Sequence, residues 1–294
     1  MYQNFECKFH GRIFLRIFLT AIFICAIFTE NGYAATRFPT EEISQNFADF
    51  HRDDFNLYAK SAVLTDADTG RILYGKDAGT PMANASTTKI MTCLLAIESG
   101  KIQDTVAFSE HACSMPKVRL GCPTGTQFVL EDLLYSLMLE SHNDTAAAIA
   151  EHVAGSVEAF ADLMNERAAE FGYHNKHFVT PNGLDRSDKK GEHQTTAYDL
   201  SLIMAACIQN DKFLEITETA SKTISSIDGT FQAALNNHNA LLSMLDGVIS
   251  GKTGFTAKAG YCYVGAYRQN DRTLLCWHVG GQITRITNGK IRKH

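Results

Sequence analysis

The pattern of apolar and polar positions predicts strands at both ends of the folded region and helices between them. Short apolar runs typical of strands occupy 62–64, 71–74, 260–268 and 273–279, and turn residues at 65–70 and 269–271 join them in pairs. Apolar residues at helical spacing predict helices over 86–99, 130–139, 144–153, 157–171 and 196–208. The chain therefore reads as α+β, with one sheet built from its N- and C-terminal segments and covered by a central helical insertion.

The first 34 residues have the pattern of a secretory signal peptide. Arg12 and Arg16 precede an apolar run over 17–28, and small residues follow at 32–35. The run is shorter than the roughly 20 apolar residues that span a bilayer. We expect a cleaved signal at 1–34 and a linker at 35–54, with an uncleaved anchor as the alternative. In both cases the folded part lies outside the cytoplasm.

The net charge bears on nucleic-acid binding, and the cysteine content bears on disulfides and metal sites. A net charge of −5 without a clustered basic face disfavours nucleic acid. Of eight cysteines, Cys113 and Cys122 flank a short loop and could form a disulfide in an exported protein; free thiols are the alternative. No Cys-x-x-Cys pair is present, so we do not expect a structural zinc site. We expect no metal or other cofactor in the active site.

Candidate chemistry begins with Ser-x-x-Lys, which occurs at Ser86, Ser114 and Ser187. Pro116 disfavours a helix through the second copy, and the third lies in a polar loop. Only Ser86 opens an apolar helix, in which Lys89 lies one turn further along the same face. A neutral lysine there could accept the proton of the serine hydroxyl. Helix capping by Ser86 is the plain alternative.

Two further triplets are individually weak signals. Ser141-His142-Asn143 lies between two predicted helices and offers a hydroxyl and an amide; helix capping by these side chains is the alternative. A second Ser-x-Asn triplet at 44–46 lies close to the expected cleavage site and is set aside. Lys252-Thr253-Gly254 precedes the final strands and offers a charge, a hydroxyl and room for a substrate backbone, with a strand-edge turn as the alternative.

The order of the three motifs is more specific than any one of them. Ser-x-x-Lys, Ser-x-Asn and Lys-Thr-Gly in this order resemble the motif set of penicillin-binding proteins and serine β-lactamases. The stretches 85–92, 181–185 and 251–256 resemble the serine-type D-alanyl-D-alanine carboxypeptidases, which are low-molecular-mass penicillin-binding proteins. The likeness covers about 55–275, which we take as the catalytic domain.

This resemblance implies a catalytic role for three side chains. Ser86 is expected to attack the carbonyl between two terminal D-alanines and form an acyl-enzyme, with Lys89 as general base and Ser141 as a proton relay. The implied substrate is a peptidoglycan stem peptide, and β-lactam antibiotics are the implied inhibitors. Two lysines near each other in a partly dry cleft would lower the pKa of one of them.

The resemblance also implies how the substrate is held. Asn143 is expected to orient it, and Lys252 and Thr253 to bind its terminal carboxylate beside Gly254. The backbone N–H groups of Ser86 and Phe255 are the expected oxyanion hole.

Three alternatives stay open at this point. A class A β-lactamase would carry a Glu-x-x-Leu-Asn motif, which is missing between Asn143 and Lys252. A metallo-carboxypeptidase would need ligands such as His174 and His177, which lie in a polar segment. A catalytically inactive wall-binding homologue is the third alternative. No amphipathic C-terminal anchor is visible, so membrane attachment is undecided.

The segment 276–294 departs from the family pattern. Back-translation with permitted codons, read two nucleotides out of register, gives Leu-Ala-Cys-Gly-Trp-Pro-Asn-Asn-Lys-Asn-Tyr-Lys-Trp-Lys-Asp-Thr-Lys, which resembles the continuation of the relatives. We therefore expect a shifted reading frame from about Cys276, a face of the sheet that lacks cover, and reduced stability.

Overall fold

A five-stranded antiparallel sheet joins the two ends of the folded region. The computed structural model describes residues 57–171 and 176–281, with the backbone alone at 285–287 and 290–292. The sheet has the order β2-β1-β9-β8-β7, in which β9 is central and β7 is an edge strand. Its strands are β1 (Ser61–Asp66), β2 (Ile72–Lys76), β7 (Val248–Thr256), β8 (Gly260–Gln269) and β9 (Arg272–Gly281).

The chain between β2 and β7 is mainly helical. A 3-10 helix at Ala85–Thr88 runs directly into α1 (Lys89–Glu98), and a π-helical turn at Ser136–Glu140 follows α3. The other helices are α2 (Glu110–Cys113), α3 (Leu130–Tyr135), α4 (Asn143–Ala154), α5 (Val157–Glu170), α6 (Ala197–Cys207), α7 (Asp211–Glu218) and α8 (Leu241–Met244). Three two-stranded ribbons complete the fold: β3 (Thr105–Ala107) with β4 (Gln127–Val129), β5 (Ser221–Ser225) with β6 (Gln232–Asn236), and β10 (Arg285–Thr287) with β11 (Lys290–Arg292).

The main core lies between the sheet and the helical insertion. Residues 89–96 of α1 are all buried, as expected for a helix that is apolar around most of its circumference. From the sheet, alternate residues of β9 are buried, namely Leu275, Trp277 and Val279. The period of two shows which face of the sheet packs on the core. The 3-10 helix that leads into α1 lies against strands β7 and β8.

The predicted α+β fold is confirmed, and the predicted helices and terminal strands match within a few residues. The turn between β8 and β9 is made by Asn270 and Asp271, both with positive φ. Strands β3 to β7, β10 and β11 and helices α2, α7 and α8 were missed. Most of them have three to eight residues and carry little periodicity, and the nine-residue β7 is interrupted by Gly251 and Gly254. None of the described helices is long and apolar enough to cross a membrane.

Several sequence predictions fall at the margins of the described chain. The predicted signal peptide at 1–34 and linker at 35–54 lie outside the described residues, as does His174. Cys276–Gly281, the first part of the segment predicted to be out of frame, form the second half of β9; most of the segment 282–294 lies outside the described residues. Cys113 and Cys122 are free thiols, and the Cys113 Sγ donates a hydrogen bond to the Cys122 carbonyl at 3.5 Å.

Candidate active site

The predicted nucleophile is the second residue of the 3-10 helix that precedes α1. Ser86 is half-buried and follows Ala85, whose φ of 49° lies in the left-handed region. This uncommon conformation is supported from outside the helix, because Gly183 packs so closely that a Cβ there would overlap the Ala85 carbonyl oxygen. Ser86 is therefore not a helix N-cap, since Thr88 occupies that position of α1.

The Lys89 amine is the centre of the site. Its Nζ lies 2.9 Å from the Ser86 Oγ, 2.9 Å from the Asn143 Oδ1 and 2.7 Å from the Asn182 carbonyl oxygen. Lys89 is completely buried. In the other two Ser-x-x-Lys copies the residues make different contacts: Ser114 donates to the His111 carbonyl, and Lys190 pairs with Asp162.

This environment favours the neutral amine. Burial lowers the pKa of Lys89 well below its usual value, the nearby Lys252 lowers it further, and Asp144 opposes them by raising it. Two of the three partners, the Asn143 amide oxygen and the Asn182 carbonyl, can only accept hydrogen bonds. The two N–H groups of a neutral amine satisfy them, which leaves the lone pair directed at the Ser86 hydroxyl. This is the arrangement that a general base needs.

The Ser141-His142-Asn143 segment enters the site at the start of α4. Ser141 has a φ of 67°, and its Oγ is buried without a hydrogen-bond partner among the described residues. Such an unpartnered hydroxyl can form a hydrogen bond to the substrate or relay a proton. Neither serine nor asparagine caps α4, because His142 occupies the N-cap position.

Asn143 differs from the sequence prediction. Its Oδ1 accepts from Lys89, and its Nδ2 donates to the carbonyls of Pro116 and Lys117 at 3.2 and 3.1 Å. Because these contacts already use both ends of the amide, Asn143 is not free to hold a substrate carbonyl in this structure. It positions Lys89 and the loop that contains Pro116 instead.

Strand β7 lies against the 3-10 helix that carries Ser86. Lys252 is buried, donates from its Nζ to the Thr253 carbonyl at 2.9 Å, and has a pKa that burial lowers to about 7. The Thr253 hydroxyl makes no hydrogen bond within the part of the chain that the structure describes. Lys252 and Thr253 lie inside an edge strand and not in a turn. One edge of β7, beside Ser86, therefore pairs with no other described strand. An extended peptide could pair with such an edge.

Gly254 lies against the 3-10 helix that carries Ser86. A Cβ there would lie 2.8 Å from the backbone nitrogen of Ser86 and 3.2 Å from the Ala85 Cβ. The glycine therefore allows β7 to approach the 3-10 helix that carries Ser86, and the approach of a substrate backbone at Gly254 stays a prediction. Phe255, the other predicted oxyanion donor, is the next residue of β7. It is 56% exposed, and its ring contacts the ring of Tyr261.

Sequence reasoning missed three supporting residues. The Asn182 carbonyl accepts from Lys89, but a backbone oxygen leaves no signal in residue types. Asp144 is buried and accepts from the N–H groups of Leu120 and Gly121, although it reads as an ordinary acid in the first turn of a helix. His193 contacts the Thr88 hydroxyl at 2.9 Å from the far side of the 3-10 helix. No sequence pattern connects it to Ser86.

Comparison with known proteins identifies the family. The family model for D-alanyl-D-alanine carboxypeptidase matches residues 48–280, which is most of the chain. The chain belongs to this family. Within it, the chain is 33% identical to D-alanyl-D-alanine carboxypeptidase DacF of Bacillus subtilis, over 80% of this chain and 60% of the relative. It is 32% identical to carboxypeptidase DacB2 of Mycobacterium tuberculosis, over 74% of this chain and 73% of the relative.

Solved structures of relatives share the fold. A D-alanyl-D-alanine carboxypeptidase from Mycobacterium tuberculosis superposes with a TM-score of 0.72 at 30% identity, covering 78% of this chain and 85% of that one. A mutant of a Streptomyces DD-transpeptidase gives a TM-score of 0.72 at 27% identity, covering 78% and 92%. These matches confirm the resemblance drawn from the three motifs. The chain spans 60% of the length of the Bacillus carboxypeptidase.

The structure describes His177, one of the two histidines considered as metal ligands. Within 57–171 and 176–281, no three histidine, cysteine, aspartate or glutamate side chains come together in a way that could hold an ion. His177, a candidate ligand in the sequence, pairs with Asp188 at 2.7 Å.

Proposed function

We propose that this chain is a serine DD-carboxypeptidase that removes the terminal D-alanine from peptidoglycan stem peptides. The observation that carries the proposal is the contact between the buried Lys89 amine and the Ser86 hydroxyl, with Lys252 on the facing strand. Family membership supports the same activity. The signal-like N-terminus supports export to the cell envelope.

The first half of the reaction makes an acyl-enzyme. The substrate extends along the free edge of β7, and its terminal carboxylate binds the Lys252 ammonium and the Thr253 hydroxyl. Ser86 Oγ attacks the carbonyl between the two D-alanines while its proton moves to Lys89 Nζ. The N–H groups of Ser86 and Phe255 stabilise the oxyanion. Collapse of the tetrahedral intermediate expels D-alanine, whose nitrogen takes a proton through Lys89 and Ser141.

The second half restores the free serine. Water attacks the ester carbonyl, with Lys89 accepting its proton, and the peptide leaves one residue shorter. A β-lactam opens on Ser86 by the same attack. Its leaving group stays attached to the acyl-enzyme, so we expect a long-lived adduct and penicillin sensitivity.

The direct test is release of D-alanine from a synthetic peptide ending in D-alanyl-D-alanine, with the same peptide ending in L-alanyl-L-alanine as control. We expect release from the first only, and none from a Ser86→Ala variant. Rapid turnover of nitrocefin without release of D-alanine would instead favour a β-lactamase. Absence of both reactions would favour an inactive wall-binding homologue.

A further inference from the structure

A short basic loop lies against the site and is not used by the reaction. Its tip, Lys117-Val118-Arg119, is exposed at all three residues, and Val118 retains 50% of its accessible surface. Within the described ranges neither cation is in an ion pair; Arg119 donates only to the Cys113 carbonyl, at 3.1 Å. By contrast, exposed Lys190 and Lys258 pair with acids of the protein itself.

The backbone of this loop is fixed to the catalytic residues. The Asn143 Nδ2 donates to the carbonyls of Pro116 and Lys117, and the Asn143 N–H donates to the Val118 carbonyl at 2.8 Å. On the far side of the tip, Asp144 accepts from the N–H groups of Leu120 and Gly121, both at 2.9 Å. The loop main chain is therefore held on both sides, while the side chains of Lys117 and Arg119 remain exposed and form no ion pair within the described ranges.

The same contacts place the tip beside the cleft. The Asn143 amide connects the Lys117 carbonyl to the Lys89 amine, so two hydrogen bonds separate this loop from the general base. Met115, at the start of the loop, accepts from the Asn182 Nδ2 at 3.7 Å, and the carbonyl of Asn182 binds Lys89. The loop therefore lies next to the catalytic residues, on the side of Asn143 and Asn182.

We propose that Lys117 and Arg119 form a recognition site for an anionic group on the acyl-donor side of the substrate, with Val118 providing apolar contact between them. The preferred substrate class is then a D-alanyl-D-alanine peptide that carries a free carboxylate upstream of the scissile bond. This inference rests on the proposed function and adds a specificity determinant to it. Neither cation is paired with an acid within the described ranges, so binding such a group to this fixed main chain breaks no ion pair there.

The test compares two peptides with the same D-alanyl-D-alanine end, one with an upstream carboxylate and one with that carboxylate amidated. The unmodified full chain should have a higher kcat/KM for the acidic peptide. The ratio of the two kcat/KM values should fall about three- to tenfold in a Lys117→Ala/Arg119→Ala double variant, because each exposed charge pair contributes modestly. It should also fall with salt, since at about 1 M the screening length is about 3 Å.

The matched control is Arg71→Ala/Arg272→Ala, which removes two exposed arginines at the opposite end of the sheet, where β1, β2, β8 and β9 turn. It should leave the ratio unchanged. An equal loss on both peptides in the loop variant, an unchanged ratio, or a similar loss in the control would overturn the inference while leaving the carboxypeptidase assignment intact. No D-alanine release from either peptide by the unmodified chain would overturn the assignment and this inference with it.

Discussion

Gly254 and the backbone nitrogen of Ser86 are so close that one methyl group cannot fit between them. A Cβ at position 254 would lie 2.8 Å from that nitrogen, which is a predicted oxyanion donor. We expect Gly254→Ala to lower the rate of acylation by penicillin by about a hundredfold, the loss seen when one oxyanion donor is removed. Stopped-flow measurement of acylation would check this.

Gly75→Ala is the control for this substitution. Gly75 is also a strand glycine, but a Cβ there meets only ordinary contacts at 3.6 and 3.7 Å. It should acylate at the normal rate. Acylation of Gly254→Ala at the same rate as Gly75→Ala would show that the approach of β7 to Ser86 does not shape the oxyanion site.

The two buried lysines predict a bell-shaped pH profile for kcat/KM. Activity should rise as Lys89 loses its proton, at a pKa well below 10.5, and fall above about 7 as Lys252 loses the charge that binds the substrate carboxylate. Burial is the cause that lowers the pKa of Lys252. A bound carboxylate raises the pKa of Lys252, so the falling limb of kcat should lie at higher pH.

A variant tests the role of Lys89 as the base. Lys89→Arg should be inactive at every pH, since a guanidinium keeps its proton. A kcat/KM profile that stays flat from neutral to alkaline pH would rule out both assigned roles.

His193 predicts a loss of stability in acid. Burial lowers its pKa to about 3, and its Nδ1 accepts from the N–H groups of Val179 and Thr180, a geometry that the protonated ring cannot keep. Between about 6.5 and 3 the unfolded state binds the extra proton, so stability falls as pH falls, by about 1 kcal/mol per pH unit. Chemical unfolding of wild type and His193→Gln at several pH values should show a smaller slope in the variant. Equal slopes for wild type and His193→Gln would mean that His193 does not control acid stability.

The motif contacts follow from the sequence more directly than the groups that support them. A spacing of three residues puts Lys89 beside Ser86 on any helix, and the structure has them 2.9 Å apart. The approach of Lys252, which is far away in the chain, followed from the family resemblance alone. The roles of the Asn182 carbonyl and of Gly254 depend on how loop and strand pack, which residue types do not encode.

The reading-frame proposal makes its own prediction. Trp277 and Val279 are buried in the central strand, so the two reading frames place different residues in the core and the stabilities of the two chains can be compared. We expect resequencing to give the alternative continuation, and the frame-restored chain to have a higher midpoint of thermal unfolding than the present chain. An unambiguous in-frame gene whose product is folded and active would refute the proposal.

The measurement closest to the central claim is the site of penicillin attachment. The full chain is incubated with a fluorescent penicillin, and the adduct is located by mass spectrometry of its peptides. We expect a single adduct on Ser86, retained in Ser114→Ala and Ser187→Ala and lost in Ser86→Ala. An adduct that persists in Ser86→Ala, or one located on Ser114 or Ser187, would contradict the assignment of Ser86 as the nucleophile activated by Lys89.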